Sequence, residues 1–160
     1  MPHAGSSSTK TVAWVGEGAP RMEVARVELR GDNLFAEGTQ LGATYELRYR
    51  LEPGSLSLTV VGERSLDLEL GDADFFDLGW SPLFNSLPVV RDGLLRDGAA
   101  PRDYVMLWVD VPSLEVSRSD QRYEPLGGGV VRYRSGPFTA DIRFDDDGFV
   151  VEYPGLGRRV

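Results

Sequence analysis

The sequence predicts a single, mainly β domain. Two observations carry this prediction: period-two alternation of apolar and polar residues runs through most of the chain, and the alternating segments are short and separated by turns rich in Gly, Pro and Asp. In addition, no window shows a long apolar stripe at helical spacing. A chain of 160 residues can bury one sizeable core. About ten strands at this spacing are typical of an antiparallel barrel, a curved sheet or a sandwich.

The alternation is clearest in the middle of the chain. Residues 44–51 place Tyr and Leu on one face and Glu and Arg on the other, and residues 55–60 and 65–70 repeat the pattern after tight turns. Strands joined by such short turns run antiparallel, so these three form a meander. The other predicted strands are 11–15, 24–29, 34–37, 104–111, 114–123, 130–134, 138–144 and 149–153.

Residues 72–98, called the insert below, depart from the β pattern. Alternation stops there, and the segment is rich in Phe, Leu and Val. A connection of this length is uncommon in a compact domain unless it is functional or contains short helices. Its apolar side chains cannot all face water, so we expect the insert to fold onto the concave side of the sheet as a plug or lid.

Charge and composition exclude several classes of function. The chain has 17 basic and 25 acidic residues, a net charge of −8, and no basic cluster, so we expect no nucleic-acid partner and no charge-driven docking on anionic membranes. No segment approaches the ~20 apolar residues that span a bilayer, so we expect no membrane insertion. Cysteine is absent and His3 is the only histidine, which argues against disulfides, thiolate chemistry, metal sites and cofactors.

The ends of the chain give further expectations. Residues 1–10 contain no apolar signal region and are predicted to be a flexible lead-in, followed by one domain over 11–160. A cytoplasmic location fits these features. Sixteen Arg against one Lys, Lys10, favours a bacterial origin with a G+C-rich genome. Oligomeric state does not follow from the residues.

Acidic residues provide two further candidates. The segment Asp145–Gly148 resembles a calcium loop, but a strand resumes at once, so a hairpin turn is the better interpretation. Asp72, Asp74 and Asp77 could coordinate a hard cation or could cap a turn. A carboxylate pair for glycoside hydrolysis also remains open among so many acids.

Aromatic residues and isolated polar residues indicate a binding site. The three tryptophans, Trp14, Trp80 and Trp108, could line a ligand cavity in a curved sheet or simply fill its core. Asn85 and Arg91 interrupt an apolar run, as expected of a pocket with a few placed polar groups in an apolar lining. The alternative is that such side chains bind loop backbone.

Several blocks together resemble a known family. Asp74–Leu78 and Ser81–Arg91 are similar to the aspartate-rich step and the "TP-x-TNTLPI-R" segment of the putative glycolipid-binding family of bacterial proteins, formerly a domain of unknown function. The segments 121–123, 138–141 and 147–156 resemble its later blocks. Its looser N-terminal pattern is matched by Trp14, Glu23 and Gly38.

The match is not complete. Phe84 and Ser86 stand where the family has Thr, and Val90-Arg91, with Asp92 next, stands where the family has paired arginines. If these side chains touch ligand, the preference for a headgroup differs from that of the family.

The resemblance implies a curved antiparallel sheet or half-barrel around short helices, similar to lipoprotein carriers. It also implies binding of a lipid-like molecule such as a glycolipid, and it carries no catalytic residues. We therefore expect a non-enzymatic module that holds an amphiphile on the concave face. The candidate ligand-binding residues are Trp14, Trp80, Phe84, Asn85, Arg91, Trp108, Gln121 and Tyr123.

Two other classes remain open. The first is a hydrolase acting on glycans or esters through carboxylates in the same cleft, which requires a carboxyl group with a raised pKa beside a wet pocket. The second is a packed domain that serves protein association, which requires a large exposed apolar patch.

Overall fold

The fold is a single curved sheet of thirteen strands, seen in a computed structural model that describes residues 7–160. Its order is β6-β5-β4-β3-β2-β1-β13-β12-β11-β10-β9-β8-β7. The strands are β1 (Ser7–Gly16), β2 (Met22–Arg30), β3 (Asn33–Leu41), β4 (Glu46–Glu52), β5 (Ser55–Val60), β6 (Arg64–Glu69), β7 (Phe75–Leu78), β8 (Arg102–Val109), β9 (Val116–Gly127), β10 (Val130–Ser135), β11 (Phe138–Phe144), β12 (Val150–Tyr153) and β13 (Gly157–Arg159).

Hairpins joined by short turns produce most of this order. β1 to β6 form one run of antiparallel neighbours and β8 to β13 form another, and β1 joins the two runs by pairing with both β2 and β13. The predicted meander of three strands is confirmed as β4, β5 and β6. β7 and β8 pair in parallel because the segment between them is long enough to cross over and contains helical turns.

The sheet does not close, so the barrel alternative is wrong. Its two edge strands are β6 and β7, which follow one another in the chain. β7 pairs with β8 along one of its edges, and no hydrogen-bonded ladder joins β7 to β6. We call the gap between β6 and β7 the seam.

The insert fills the concave side as predicted. After β7 it forms a short 3-10 helix, Pro82–Asn85, and one α-helix, α1 (Ser86–Arg91). Leu83 and Phe84 are fully buried, and both belong to the single core cluster formed with the sheet.

Two strands, β7 and β13, were not predicted from the sequence. All four residues of β7 are buried, so they show no alternation, and β13 has only three residues. The predicted lead-in over residues 1–10 extends too far, because Ser7–Lys10 already pair with β2. Residues 1–6, including His3, lie outside the described part of the chain. Within the described part, no helix is both long enough and apolar enough to cross a bilayer.

Candidate functional site

A buried carboxyl group joins the insert to the first run of strands. Alternation along β2 places Glu23 on the inner face with Ala25, and Glu23 is 2% exposed. It accepts hydrogen bonds from Ser81 Oγ at 2.7 Å, Gln40 Nε2 at 3.0 Å and Tyr49 OH at 3.1 Å. Burial raises the Glu23 pKa to about 7, although these hydrogen bonds and the nearby Arg21 act in the opposite direction.

The neighbours of Glu23 are fixed in turn. Gln40 Nε2 also donates to the Gly79 carbonyl at 3.2 Å, so the same amide holds both the acid and the loop after β7. The Tyr49 ring lies directly over Gly38, where any Cβ would overlap it. This position therefore requires glycine, and the ring placed there reaches Glu23.

A second buried carboxyl group joins the insert to the other run of strands. Asp77, in β7, accepts a hydrogen bond from Gln121 Nε2 at 2.8 Å, and burial raises its pKa to about 6. Close by, Asn85 Nδ2 donates to Tyr123 OH at 3.1 Å. Three candidate residues, Asn85, Gln121 and Tyr123, are thus brought to one region, where they bind other side chains of the protein. The Gln121 Oε1 atom is buried without a partner.

Aromatic side chains fill the interior beside the second run of strands, β8 to β13. Tyr123 makes edge-to-face contacts with Tyr104 and Tyr133, with ring centroids 5.5 Å apart in each pair. The row continues to Phe75 at one end and Tyr153 at the other. Burial raises the pKa of each tyrosine in the row, so all four remain protonated near neutral pH.

Two other candidate aromatics, Trp14 in β1 and Phe84 in the 3-10 helix of the insert, are core residues. Trp14 is buried and donates from Nε1 to the Val150 carbonyl at 2.8 Å. Phe84 packs edge-on against Tyr49, with ring centroids 5.5 Å apart.

The other two tryptophans lie elsewhere. Trp108 is half-buried in β8, opposite Asp77 in the parallel register. Trp80 is half-exposed, adopts a φ of 63° and carries the Arg21 guanidinium 4.8 Å from its ring centroid. The eight candidates therefore do not form one pocket.

Incompletely covered apolar side chains lie beside the seam. Leu66, Leu68 and Leu70 come from the free edge of the sheet, are only half-buried and pack against the core. At the far end of the seam the Arg64 Nη1 atom donates to the Pro112 carbonyl at 3.0 Å.

An apolar cavity of about 70 Å³ lies where β7 begins. Its apolar lining residues are Leu34, Leu51, Pro53, Phe75, Phe76 and Leu87. Arg91, the last residue of α1, also lines it. The Arg91 guanidinium lies 4.0 Å from the Phe75 ring centroid and 3.5 Å from an Asp92 oxygen, and it remains partly open to solvent.

The acidic segments form turns and anchors. Asp145 Oδ1 accepts the backbone N–H groups of Asp147 and Phe149, which confirms the hairpin turn. Asp74 Oδ2 accepts the Val105 N–H at 2.7 Å. No group of three or more acidic, His or Cys side chains in residues 7–160 could hold a metal ion.

Glu23 and the seam leucines were missed as site residues, although the sequence carries signals for both. Glu23 alternates with Ala25 and Val27, so it falls on the apolar face of its strand. The leucines alternate correctly in the predicted strand, but their exposure depends on β6 being a sheet edge, and this depends on β7.

Comparisons with known proteins support the fold and the family. The chain is similar to a DUF1089 family protein from Pseudomonas aeruginosa, known from a crystal structure, with 22% identity and a TM-score of 0.58 over 100% of this chain and 94% of that one. A search of curated proteins found no match. The family model described as putative glycolipid-binding matches residues 58–159, which include the insert, the seam and every strand from β6 to β13. By this match over most of its length, the chain belongs to the putative glycolipid-binding family.

Proposed function

We propose that the protein binds an amphiphile, with the apolar part along the seam and the polar part at Arg91, and that it does so without catalysis. The observation that carries this proposal is the open edge of the sheet, where half-buried leucines lie along β6 and directly after it, and where an apolar cavity lies at the start of β7. The family description, glycolipid binding, supports the class of ligand.

The apolar part of the ligand has a physical reason to choose the seam. The insert already occupies the concave side, and residues of both runs of strands pack against it. Leu66, Leu68 and Leu70 remain incompletely covered. At ~25 cal/mol per Å² of apolar surface, covering their exposed parts would contribute about 2 kcal/mol to binding. The cavity of about 70 Å³ has room for the end of an acyl chain only.

Among the candidate residues, Arg91 is the polar group at this cavity, which Asp32, Asn33, Glu52 and Asp74 also line. Arg91 presents N–H donors that can bind a phosphate or sugar oxygen, and its contact with Phe75 holds it at the cavity. Asn85 and Gln121 are less available, because their donor groups bind Tyr123 and Asp77. Asp92, beside Arg91, would favour a sugar hydroxyl over a second anionic group.

The absence of catalysis is part of the proposal. A hydrolase would use a carboxyl group with a raised pKa, and Glu23 and Asp77 have this property. Each is tied to the insert network by hydrogen bonds, and Glu23 lines a cavity of only about 10 Å³, the lower limit for one water molecule. We infer that both acids hold the insert in place.

Displacement of a fluorescent fatty acid by an alkyl glucoside tests this function. Leu68→Gln should weaken binding of the alkyl glucoside by about threefold, because it removes about a third of the apolar contact. Arg91→Gln should weaken it by about tenfold, because it removes the charged donors. Leu126→Gln and Arg134→Gln, on exposed positions of β9 and β10, are matched controls and should bind as the unaltered protein does. Equal affinities in all four variants, or recovery of a cleaved glucoside, would contradict the proposal.

A further inference from the structure

The polar lining of the cavity at the start of β7 is acidic. Beside its apolar residues, the cavity is lined by Asp32, Asn33, Glu52, Asp74 and Arg91. Three carboxylates and one guanidinium therefore surround the place proposed for the polar part of the amphiphile. Which headgroup fits there depends on whether other residues compensate these charges.

Two of the three carboxylates have no counter-charge. Asp32 lies in the exposed turn between β2 and β3, and Asp74 lies directly before β7. Asp74 Oδ2 accepts the Val105 N–H at 2.7 Å, and this neutral donor leaves the negative charge in place. Within residues 7–160, neither carboxylate takes part in an ion pair.

The charge of Arg91 is already shared. Its Nε atom lies 3.5 Å from Asp92 Oδ1, and Asp92 Oδ2 lies 3.7 Å from Arg102 Nη1. These three groups together carry a charge of +1. Arg91 therefore offers N–H donors to a ligand, with part of its positive charge balanced by Asp92.

Glu52 belongs to a second set of ion pairs, with the opposite charge. Arg50 Nε lies 3.5 Å from Glu52 Oε1 and 3.7 Å from Glu37 Oε1, so these three groups carry −1. The two sets cancel. The surplus charge at the cavity is therefore that of Asp32 and Asp74, −2 in all.

A surplus of carboxylates determines which headgroups can pair with this lining. Carboxylate oxygens only accept hydrogen bonds, while the Arg91 guanidinium and the Asn33 amide can donate them. A sugar hydroxyl both donates and accepts, so it can pair with either kind of group. An ionised phosphate or carboxylate headgroup only accepts, and Asp32 and Asp74 would repel it.

We propose that the amphiphile carries an uncharged headgroup with several hydroxyl groups, and that Asp32 and Asp74 select against anionic headgroups. This inference rests on the proposed function, since it takes the headgroup to lie at the cavity beside Arg91. Arg91 and Asn33 donate to hydroxyl oxygens of the ligand, and the two aspartates accept from its hydroxyl groups. A neutral sugar is thus selected over a uronic acid or a phosphate.

Three amphiphiles with the same octyl chain test this selection, each titrated into the full chain by calorimetry below its micelle concentration. Octyl glucoside has a neutral sugar, octyl glucuronide carries a carboxylate on the same kind of ring, and octyl tetraethylene glycol is uncharged with a single hydroxyl group. We expect octyl glucoside to bind about tenfold more tightly than either of the others. The preference over the glucuronide should shrink at about 0.5 M salt, because salt screens exposed charges.

The double variant Asp32→Asn with Asp74→Asn localises the effect. Asn keeps a carbonyl oxygen that can accept the Val105 N–H and a sugar hydroxyl, so the affinity for octyl glucoside should stay within about twofold. The affinity for octyl glucuronide should rise by about tenfold, because two negative charges are removed. Asp120→Asn with Asp146→Asn changes the net charge equally at exposed positions that do not line the cavity, and should leave both affinities unchanged.

Three results would overturn the inference while leaving the proposed function intact. The first is equal binding of octyl glucuronide and octyl glucoside to the unaltered protein. The second is an equal gain in glucuronide affinity in the control variant, and the third is equal binding of octyl tetraethylene glycol and octyl glucoside. Absence of binding by all three amphiphiles would contradict the proposed function itself, and this inference with it.

Discussion

Ser81 Oγ donates a hydrogen bond of 2.7 Å to Glu23 Oε2, and this contact fastens the insert to the first run of strands. The contact between Gln121 and Asp77 does the same on the other run, at 2.8 Å. One buried acid on each side thus keeps the insert on the concave face. For this reason the proposed amphiphile is placed at the seam and not on the concave face.

The first prediction concerns the ionisation of Glu23. The pKa of Glu23 is about 7 in the folded protein and near the ordinary 4.5 in the unfolded chain. The folded state therefore binds more protons between these values, and the free energy of unfolding should fall as pH rises through this window. Urea unfolding between about pH 6 and pH 8 measures this fall. Asp77, whose pKa is raised from 3.8 to about 6, lowers the free energy of unfolding mainly below this range.

Glu23→Gln provides the matched control, because an amide resembles a protonated carboxyl group. At about pH 8 the variant should be more stable than the unaltered protein by about 1–3 kcal/mol, with little difference at about pH 5. A variant that loses stability at pH 8 would show that the folded protein prefers the ionised carboxylate.

The second prediction concerns the close approach of Tyr49 to Gly38. Gly38→Ala should lower the free energy of unfolding by about 2–4 kcal/mol, because the new methyl group would displace the ring that binds Glu23. Gly54→Ala is the control, since a Cβ there meets no atom within 4 Å. Chemical denaturation of both variants gives the comparison, and equal stabilities would contradict the packing described.

The third prediction concerns the buried pair of Asn85 and Tyr123. Tyr123→Phe should lower the free energy of unfolding by about 1–2 kcal/mol, because it leaves the Asn85 amide without its acceptor. A double-mutant cycle with Asn85→Ala measures the coupling, expected at about 1 kcal/mol. Additive effects would show that the hydrogen bond contributes nothing to stability.

Much of the fold could be predicted from local pattern. Strands with one solvent-exposed face, such as β4 and β5, are predicted by their alternation of apolar and polar residues. β7 could not be found in this way, because both of its faces are buried, and its partner β8 lies beyond the insert. Whether the sheet closes depends on the pairing of β7, so the sequence alone could not distinguish a closed barrel from an open sheet.

The candidate site was predictable in part. The polar residues among apolar ones, Asn85 and Gln121, do lie inside the protein, but their hydrogen bonds are directed to Tyr123 and Asp77. Their partners are distant in sequence, so only the three-dimensional arrangement reveals that these groups are occupied. Of the polar candidates, Arg91 lies beside an apolar cavity with its charge partly open to solvent.

The most direct test of amphiphile binding is methyl NMR of the protein titrated with octyl glucoside below its micelle concentration. The leucines of the seam, Leu66, Leu68 and Leu70, should shift in a saturable manner together with Leu87 of the cavity, while Leu126 on β9 stays unchanged. Saturable shifts confined to other leucines, or no saturable shift at all, would contradict binding at the seam.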